Sequence, residues 1–240
     1  MRRYLVRQLV QLVVVILGIS ILAFSILHII GDPVTLLLPQ NAGKEEYARY
    51  KHLMGLDQPV WVQYWKFASG AVQGDFGRSW YGNAPAFRLV VDRMPPTIYL
   101  TLAGLGVALL IALPLGVLAA LKRHSFVDTL CTLLAVAGQA MPIFWLGIML
   151  IIIFAVRLRL LPASGYGTWQ NFVMPAFCLG AFLAPITMRL VRSGIIEVMN
   201  MEFIKTARAK GVAERMVVVK HAFRNACIPV VTVLGLQFGQ

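Results

Sequence analysis

Long uncharged apolar runs constrain this chain more than any other feature. The five runs are roughly Gln8–Ile30, Thr97–Leu121, Thr129–Val156, Asn171–Met188 and Asn225–Gln240. Each approaches or exceeds the ~20 residues that a helix needs to cross the hydrocarbon core of a bilayer. Only 13% of the residues are charged, about half the share that is typical of a soluble domain. The sequence therefore predicts an all-α, polytopic helical membrane protein.

The first and last runs set expectations about the ends of the chain. Basic residues precede the first run, as in a signal peptide, but the run from Gln8 to Gly31 is longer than an h-region of about 7–15 residues. No A-x-A cleavage pattern follows it, so we expect a retained span. The last run is still apolar at Gln240, which predicts that at least one further span belongs to the protein.

The distribution of Lys and Arg predicts the orientation. These residues are denser in segments 1–7, 122–128 and 189–224 than in segments 31–96 and 157–170. Because cytoplasmic loops carry the excess of Lys and Arg, we expect a cytoplasmic N-terminus. The expected organisation is an N-terminal transmembrane helix at 1–31, an extracytoplasmic loop with interfacial helices at 32–94, and a membrane core at 95–240.

The net charge of +12 raises the question of a nucleic-acid partner. Nucleic-acid binders cluster basic residues on a soluble surface, whereas here they lie beside the spans, so we expect no nucleic acid. The three cysteines lie in or beside apolar segments without metal-ligand spacing, which favours small packing residues over a disulfide or a metal site. These cysteines are Cys131, Cys178 and Cys227.

Aromatic residues mark the predicted extracytoplasmic loop. Trp61, Tyr64, Trp65 and Phe67 recur near helical spacing. They suit short helices lying in the membrane interface, and equally a docking surface for an outside partner; the physics favours the interfacial helices. Further on, the pair Pro95-Pro96 suits the first turn of a second span, where a missing N–H costs little.

The spans carry proline breaks and polar amides but little charge. Gln139 and Gln237 are predicted at membrane depth, where each either makes an interhelical hydrogen bond or lines a path. The four complete runs lack an Asp or Glu, and His28 is near the end of the first run, so no group suits proton or sodium coupling. No nucleotide-binding or catalytic motif is found either. Any energy for transport is therefore expected from another chain, and we predict no enzyme activity here.

A charged block, "FIKTARAKGVAERMVVVKHAFRN", separates the last two runs. Helix formers over Glu202–Lys210 are followed by Gly211, which suits a helix C′ position. A second helical segment is predicted over Ala213–Arg224. The block is either a loop that fixes topology or a short helix that docks on a partner, and the residues alone leave both open.

The block closely resembles the conserved cytoplasmic loop of dipeptide/oligopeptide-type permeases of ABC importers. In that loop three residues separate an E-A-A triplet from a glycine. Here Lys205-Thr206-Ala207 occupies the position of the triplet, and Gly211 is the glycine. The resemblance extends along the chain through "GDPV", "MGLDQPVWVQYWKF", "GDFGRSW", "PPTIYLTLA", "MPIFWLGIMLI" and "TARAKG". Lys205 departs from the family's glutamate, so no contact built on that acid is expected.

The resemblance implies a type I ABC importer transmembrane fold and a set of partners. These are a second similar permease, two ATPase subunits that use ATP, and an extracytoplasmic solute-binding protein, in a bacterial or archaeal inner membrane. No cofactor is expected on this chain. The helix before Gly211 would couple to an ATPase subunit through Phe203, Thr206, Ala207, Arg208, Ala209, Lys210 and Gly211.

Weaker expectations concern the path and the outer surface. The path candidates are Gln139, Met141, Pro142 and Gln237, and the candidates for contact with the binding protein are Trp61, Trp65 and Trp80. Two other classes of protein remain as alternatives: a secondary carrier or channel, and a membrane scaffold. Within the family, dipeptides, oligopeptides, glutathione-like peptides and nickel complexes all remain possible substrates.

Overall fold

A computed structural model describes residues 2–30, 34–35, 38, 43–79 and 84–239. The chain divides into two compact units, Met1–Arg93 and Met94–Gln240. The helices are Arg2–Ile30 (α1), Lys44–Leu53 (α2), Val60–Val72 (α3), Ala86–Leu121 (α4), Phe126–Ala140 (α5), Ile143–Arg157 (α6), Gln170–Met199 (α7), Glu202–Ala209 (α8) and Glu214–Phe238 (α9). Trp80 lies outside the described residues.

Four helices are long and apolar enough to cross a membrane, namely α1, α4, α7 and α9. The pair α5 and α6 passes the same test together, which makes up to five spans among the described residues. Apart from an isolated bridge between Arg78 and Pro85, the regular structure of this part of the chain is helical. The prediction of an all-α polytopic protein is confirmed.

The third apolar run is broken, although the sequence analysis took it as a single span. Helices α5 and α6 meet at an angle of 94°. Met141 is extended, with φ −79° and ψ 133°, because the ring of the following Pro142 disfavours a helical conformation at the residue before it. The proline thus converts one expected helix into two.

Helix α4 begins earlier than predicted. It starts at Ala86 and contains Pro95 and Pro96 in its interior, so their predicted place in the first turn is wrong. The stretch before the prolines is held locally: Arg88 and Asp92 form an exposed ion pair of 3.8 Å one turn apart. Such i,i+4 pairs support a helix on its surface.

In the first unit, α3 packs on α1 through its polar and aromatic side chains. Tyr64 and Ser20 share a hydrogen bond of 2.9 Å between their hydroxyls, and Gln63 bonds His28 at 3.0 Å. Phe24 lies edge-on to Tyr64, with ring centroids 5.4 Å apart. Helical α3 confirms the expected periodicity of these aromatics.

In the second unit, α7 is the central helix and its neighbours approach it closely through glycines. A Cβ added at Gly116 of α4 would lie 2.8 Å from Val191, and one at Gly138 of α5 would lie 2.6 Å from the carbonyl oxygen of Ala181. Such small residues let helix backbones approach in membranes. Side chains from α4, α5 and α7 fill the adjoining core: Ala112, Ala119, Cys131, Ala135, Ala184 and Met188.

Candidate coupling site

Helix α8 is a short amphipathic helix seated on the helices before and after it. Ile204 is fully buried and packs with Val198 of α7 and with Val217 and Ala222 of α9. Ala207, one turn later, is partly buried against the same cluster. Two apolar side chains therefore fix how this helix lies on the rest of the unit.

Gly211 ends α8 as predicted. Its φ is +76°, in the left-handed region that side chains disfavour. The N–H of Gly211 donates to the carbonyl of Arg208 at 2.9 Å, and the N–H of Val212 donates to that of Ala207 at 3.2 Å. These two bonds are the Schellman pattern, which satisfies the last carbonyls of a helix. The bend is thus built by backbone hydrogen bonds.

The side chains of α8 that flank its two packed residues are open to solvent. Phe203 is 42% exposed, and Thr206 and Lys210 are exposed as well. Their spacing of three and four residues places all three on one side of a helix. We call Phe203, Thr206 and Lys210 the exposed α8 face; Ala209 is also exposed. Of the seven residues predicted for coupling, Ala207 is the one that turns toward the core.

An ion pair that the sequence analysis did not find spans the bend. Arg208 donates to Glu214 through Nε at 3.0 Å and through a terminal nitrogen at 2.6 Å. The hydrogen bonds to Glu214 raise the pKa of Arg208 above its usual value. Glu214 lies six residues beyond Arg208, outside the i,i+4 spacing that reveals helical pairs in a sequence. Only the glycine bend brings the two side chains together.

Lys205, at the family's glutamate position, has a local partner. Its ammonium lies 2.7 Å from the carboxylate of Glu202. Both side chains are exposed, with 62% and 85% of their surface accessible, so the pair contributes little to stability.

A cavity of about 700 Å³ adjoins the bend. Its walls come from the ends of α4 and α7 and from α8 and α9. The polar part of its lining includes Arg123, Arg208, Glu214 and Arg215, and the apolar part includes Ile196 and Val218. The bend is therefore bordered by open space rather than by a packed core.

The second half of the block is helical and leads into the next span, as predicted. The segment expected over Ala213–Arg224 is the start of one continuous helix, α9, that extends to Phe238. Its turns over Val217–Phe223 are π-helical. Such wide turns inside α-helices are frequent at functional sites. The block therefore continues directly into a span.

Three of the four path candidates lie together at the break between α5 and α6. Gln139 is in the last turn of α5, and Met141 and Pro142 form the break. Gln237 lies on α9, is 6% exposed, and its amide has no hydrogen-bond partner among the described residues. The structure thus places Gln139, Met141 and Pro142 at the break and Gln237 apart from them as a buried amide. Their role in a path stays a prediction.

The outer candidates that are described lie on α3. Trp61 and Trp65 are each 74% exposed, although Tyr64 between them bonds Ser20 of α1. A role in docking stays a prediction for both, and for Trp80 outside the described residues.

A second ion pair was also missed. Arg192 of α7 donates to both carboxylate oxygens of Asp128 in α5, at 2.8 and 2.7 Å. Both residues lie just outside the predicted apolar runs, which begin at Thr129 and end at Met188. The helices extend further: α5 starts at Phe126 and α7 ends at Met199. The pair therefore joins the first turn of α5 to the last third of α7.

Comparison with known proteins places the chain in a family. The family described as "Binding-protein-dependent transport system inner membrane component" matches residues 112–240, and its N-terminal counterpart matches residues 1–101. The glutathione transport system permease protein GsiC of Escherichia coli (strain K12) is 38% identical over all 240 residues, which cover 78% of that relative. GsiC of Salmonella paratyphi A is 39% identical with the same coverage.

These matches extend over both units and agree with the helical architecture and the apolar spans. The proteins of this family are permease subunits of ABC importers, which function with an ATPase and a binding protein. The chain belongs to the binding-protein-dependent transport system inner membrane component family and is a multi-pass ABC importer permease with the type I membrane fold.

Proposed function

We propose that this permease carries small peptides and that the exposed α8 face receives the movement of a separate ATPase subunit. The observation that carries the proposal is the contrast between the packed and the exposed side chains of α8. Ile204 and Ala207 anchor the helix on its own chain, while Phe203, Thr206 and Lys210 are exposed. A helix that is anchored on its own chain and still exposes several side chains can bind a partner and pass on its movement.

The Gly211 bend directs this movement into a span. Helix α9 begins three residues after Gly211 and continues as one helix to Phe238. Ion pairing between Arg208 and Glu214 ties the end of α8 to the start of α9. A displacement of α8 therefore reaches both α7, through its packing with Val198, and α9, through the bend.

In the assembly that we propose, this chain pairs with a second permease above two ATPase subunits, and a solute-binding protein docks on the opposite side. Its N-terminus is cytoplasmic, which places α8 on the ATPase side. ATP is bound and hydrolysed by the partner subunits, and this chain binds no cofactor. Trp61 and Trp65 face the binding protein, and the break at Met141–Pro142 lies along the path.

The proposed substrate class is small peptides. The relatives are named as glutathione permeases, and glutathione is itself a tripeptide. Uptake of glutathione and of a neutral dipeptide into vesicles containing the whole transporter distinguishes the two. Saturable, ATP-dependent uptake of either supports the class. Uptake of a nickel complex alone contradicts it, and transport by the purified chain without an ATPase indicates a secondary carrier.

Substitution of Gly211 tests the coupling role. A Cβ at this position would meet nothing within 4 Å, so the only penalty is backbone strain, roughly 1–2 kcal/mol for an L-residue in the left-handed region. We expect Gly211→Val to lower uptake and the stimulation of ATPase activity by substrate. Gly211→Asn is the matched control, because asparagine tolerates this conformation.

The two variants are compared in complexes purified in equal amounts. Uptake by Gly211→Val at the level of wild type and of Gly211→Asn would show that the bend has no part in coupling. Scrambling residues 200–224 gives an independent test, since loss of the ATPase subunit on purification is expected.

A further inference from the structure

A largely buried ion pair connects α5 to α7. The guanidinium of Arg192 meets the Asp128 carboxylate with two bonds, Nε to Oδ1 at 2.8 Å and a terminal nitrogen to Oδ2 at 2.7 Å. The Asp128 side chain is 10% exposed and that of Arg192 is 28% exposed. Paired, two-pronged contacts of this kind fix orientation as well as distance.

The local backbone holds the carboxylate in place. Asp128 accepts a third bond, from the N–H of His124 at 3.0 Å. Its own N–H donates to the Ser125 hydroxyl, which caps α5, at 3.4 Å. His124 has φ +60°, a conformation that non-glycine residues seldom adopt. Contacts within residues 124–128 thus hold Asp128 independently of Arg192.

A buried ion pair is a poor means of gaining stability alone. Desolvation of the two charges offsets most of their attraction, and apolar replacements are often as stable. Its two-pronged geometry instead fixes how the two helices face each other. These considerations favour a role in fixing geometry.

The same two helices meet again near the other end of α5. Gly138 approaches the Ala181 carbonyl so closely that a Cβ would lie 2.6 Å from its oxygen. From Asp128 to Gly138 is ten residues along α5, and from Arg192 back to Ala181 is eleven along α7. The helices therefore lie antiparallel and are fastened at two points about 15 Å apart.

We propose that Asp128 and Arg192 are positioning residues that make α5 move with α7, so that displacement of α8 reaches the break at Met141–Pro142. Helix α7 continues unbroken from Arg192 to Met199, directly before α8. Helix α5 ends at the break itself. The ion pair and the Gly138 contact then form the connection between the coupling helix and the proposed path. This inference rests on the proposed coupling function.

Neutralising both charges together tests the proposal. Asp128→Asn alone would leave the Arg192 guanidinium without its counter-ion, so the test variant is Asp128→Asn with Arg192→Gln. The matched control is Arg88→Gln with Asp92→Asn, which removes the exposed pair on α4 by the same chemical changes. Each is purified as the complete transporter with its ATPase subunits and reconstituted with its binding protein.

The measured quantity is the ratio of ATPase activity with glutathione, or with the neutral dipeptide if the wild type takes up only that, to basal ATPase activity, together with uptake of the same compound per complex. We expect this ratio to fall at least about fivefold in the test variant, the lower range of a typical coupling energy between sites, and to be unchanged in the control. An assembled test variant with a wild-type ratio overturns the proposal. Failure of the test variant alone to assemble also overturns it, because the pair would then serve folding only.

The outcome separates this inference from the proposed function. If the wild-type complex shows no ATP-dependent uptake, the proposed function fails. If the wild type transports and the test variant transports equally well, the coupling helix stands and only the connection through Asp128 and Arg192 is rejected.

Discussion

The contact between Gly138 and α7 predicts a measurable loss of stability on adding a single methyl group. In Gly138→Ala the new Cβ would lie 2.6 Å from the carbonyl oxygen of Ala181, whereas ordinary contact begins near 3.4 Å. The neighbouring atom is backbone, so no side chain can swing away. The helices must separate locally by about 0.8 Å, and overpacking of this kind costs roughly 1–3 kcal/mol.

A second glycine in the same unit serves as the control. A Cβ at Gly106 of α4 would meet nothing within 4 Å, so Gly106→Ala changes helix propensity without a clash. Since alanine improves the propensity of both helices by about the same amount, roughly 0.5–1 kcal/mol, that gain cancels in the comparison. The difference between the two variants is then the cost of the clash, about 1–3 kcal/mol.

Thermal unfolding of the purified permease in detergent measures the difference. About 2–4 °C per kcal/mol is expected for a chain of this size, so Gly138→Ala should unfold roughly 2–12 °C below Gly106→Ala. Both proteins are prepared in the same detergent and lipid. Equal midpoints, or a higher one for Gly138→Ala, would refute the close approach of α5 to α7.

The remaining predictions concern α8 and the outer aromatics. Ile204→Ala should cost about 2–5 kcal/mol of local packing free energy and make residues 200–216 more sensitive to protease. Phe203→Ala should leave protease sensitivity near wild type but reduce the amount of ATPase subunit that copurifies. Greater protease sensitivity in Phe203→Ala than in Ile204→Ala would contradict the assignment of Ile204 as packed and Phe203 as exposed. Trp61→Ala and Trp65→Ala should weaken pull-down of the binding protein without lowering thermal stability. Tyr64→Phe removes a hydrogen bond to Ser20 worth about 0.5–1.5 kcal/mol. It should therefore lower thermal stability and leave pull-down of the binding protein unchanged.

The amino-acid pattern alone predicted the class of fold and the Gly211 bend. Hydrophobicity and segment length are local properties, and a bilayer forces such segments into helices because their backbone groups must be paired internally. A glycine after a run of helix formers is likewise a local signal. The predicted start of α4 was wrong, because Pro95 and Pro96 lie inside a helix that begins at Ala86.

Tertiary structure alone decided which charged residues meet. Asp128 and Arg192 are 64 positions apart and pair because α5 lies antiparallel on α7. Arg208 and Glu214 pair because the chain bends at Gly211. The 94° break at Met141, by contrast, has a local cause in the ring of Pro142. Periodicity determines which face of a helix is apolar, but the partner of each charge depends on how the helices are arranged in space.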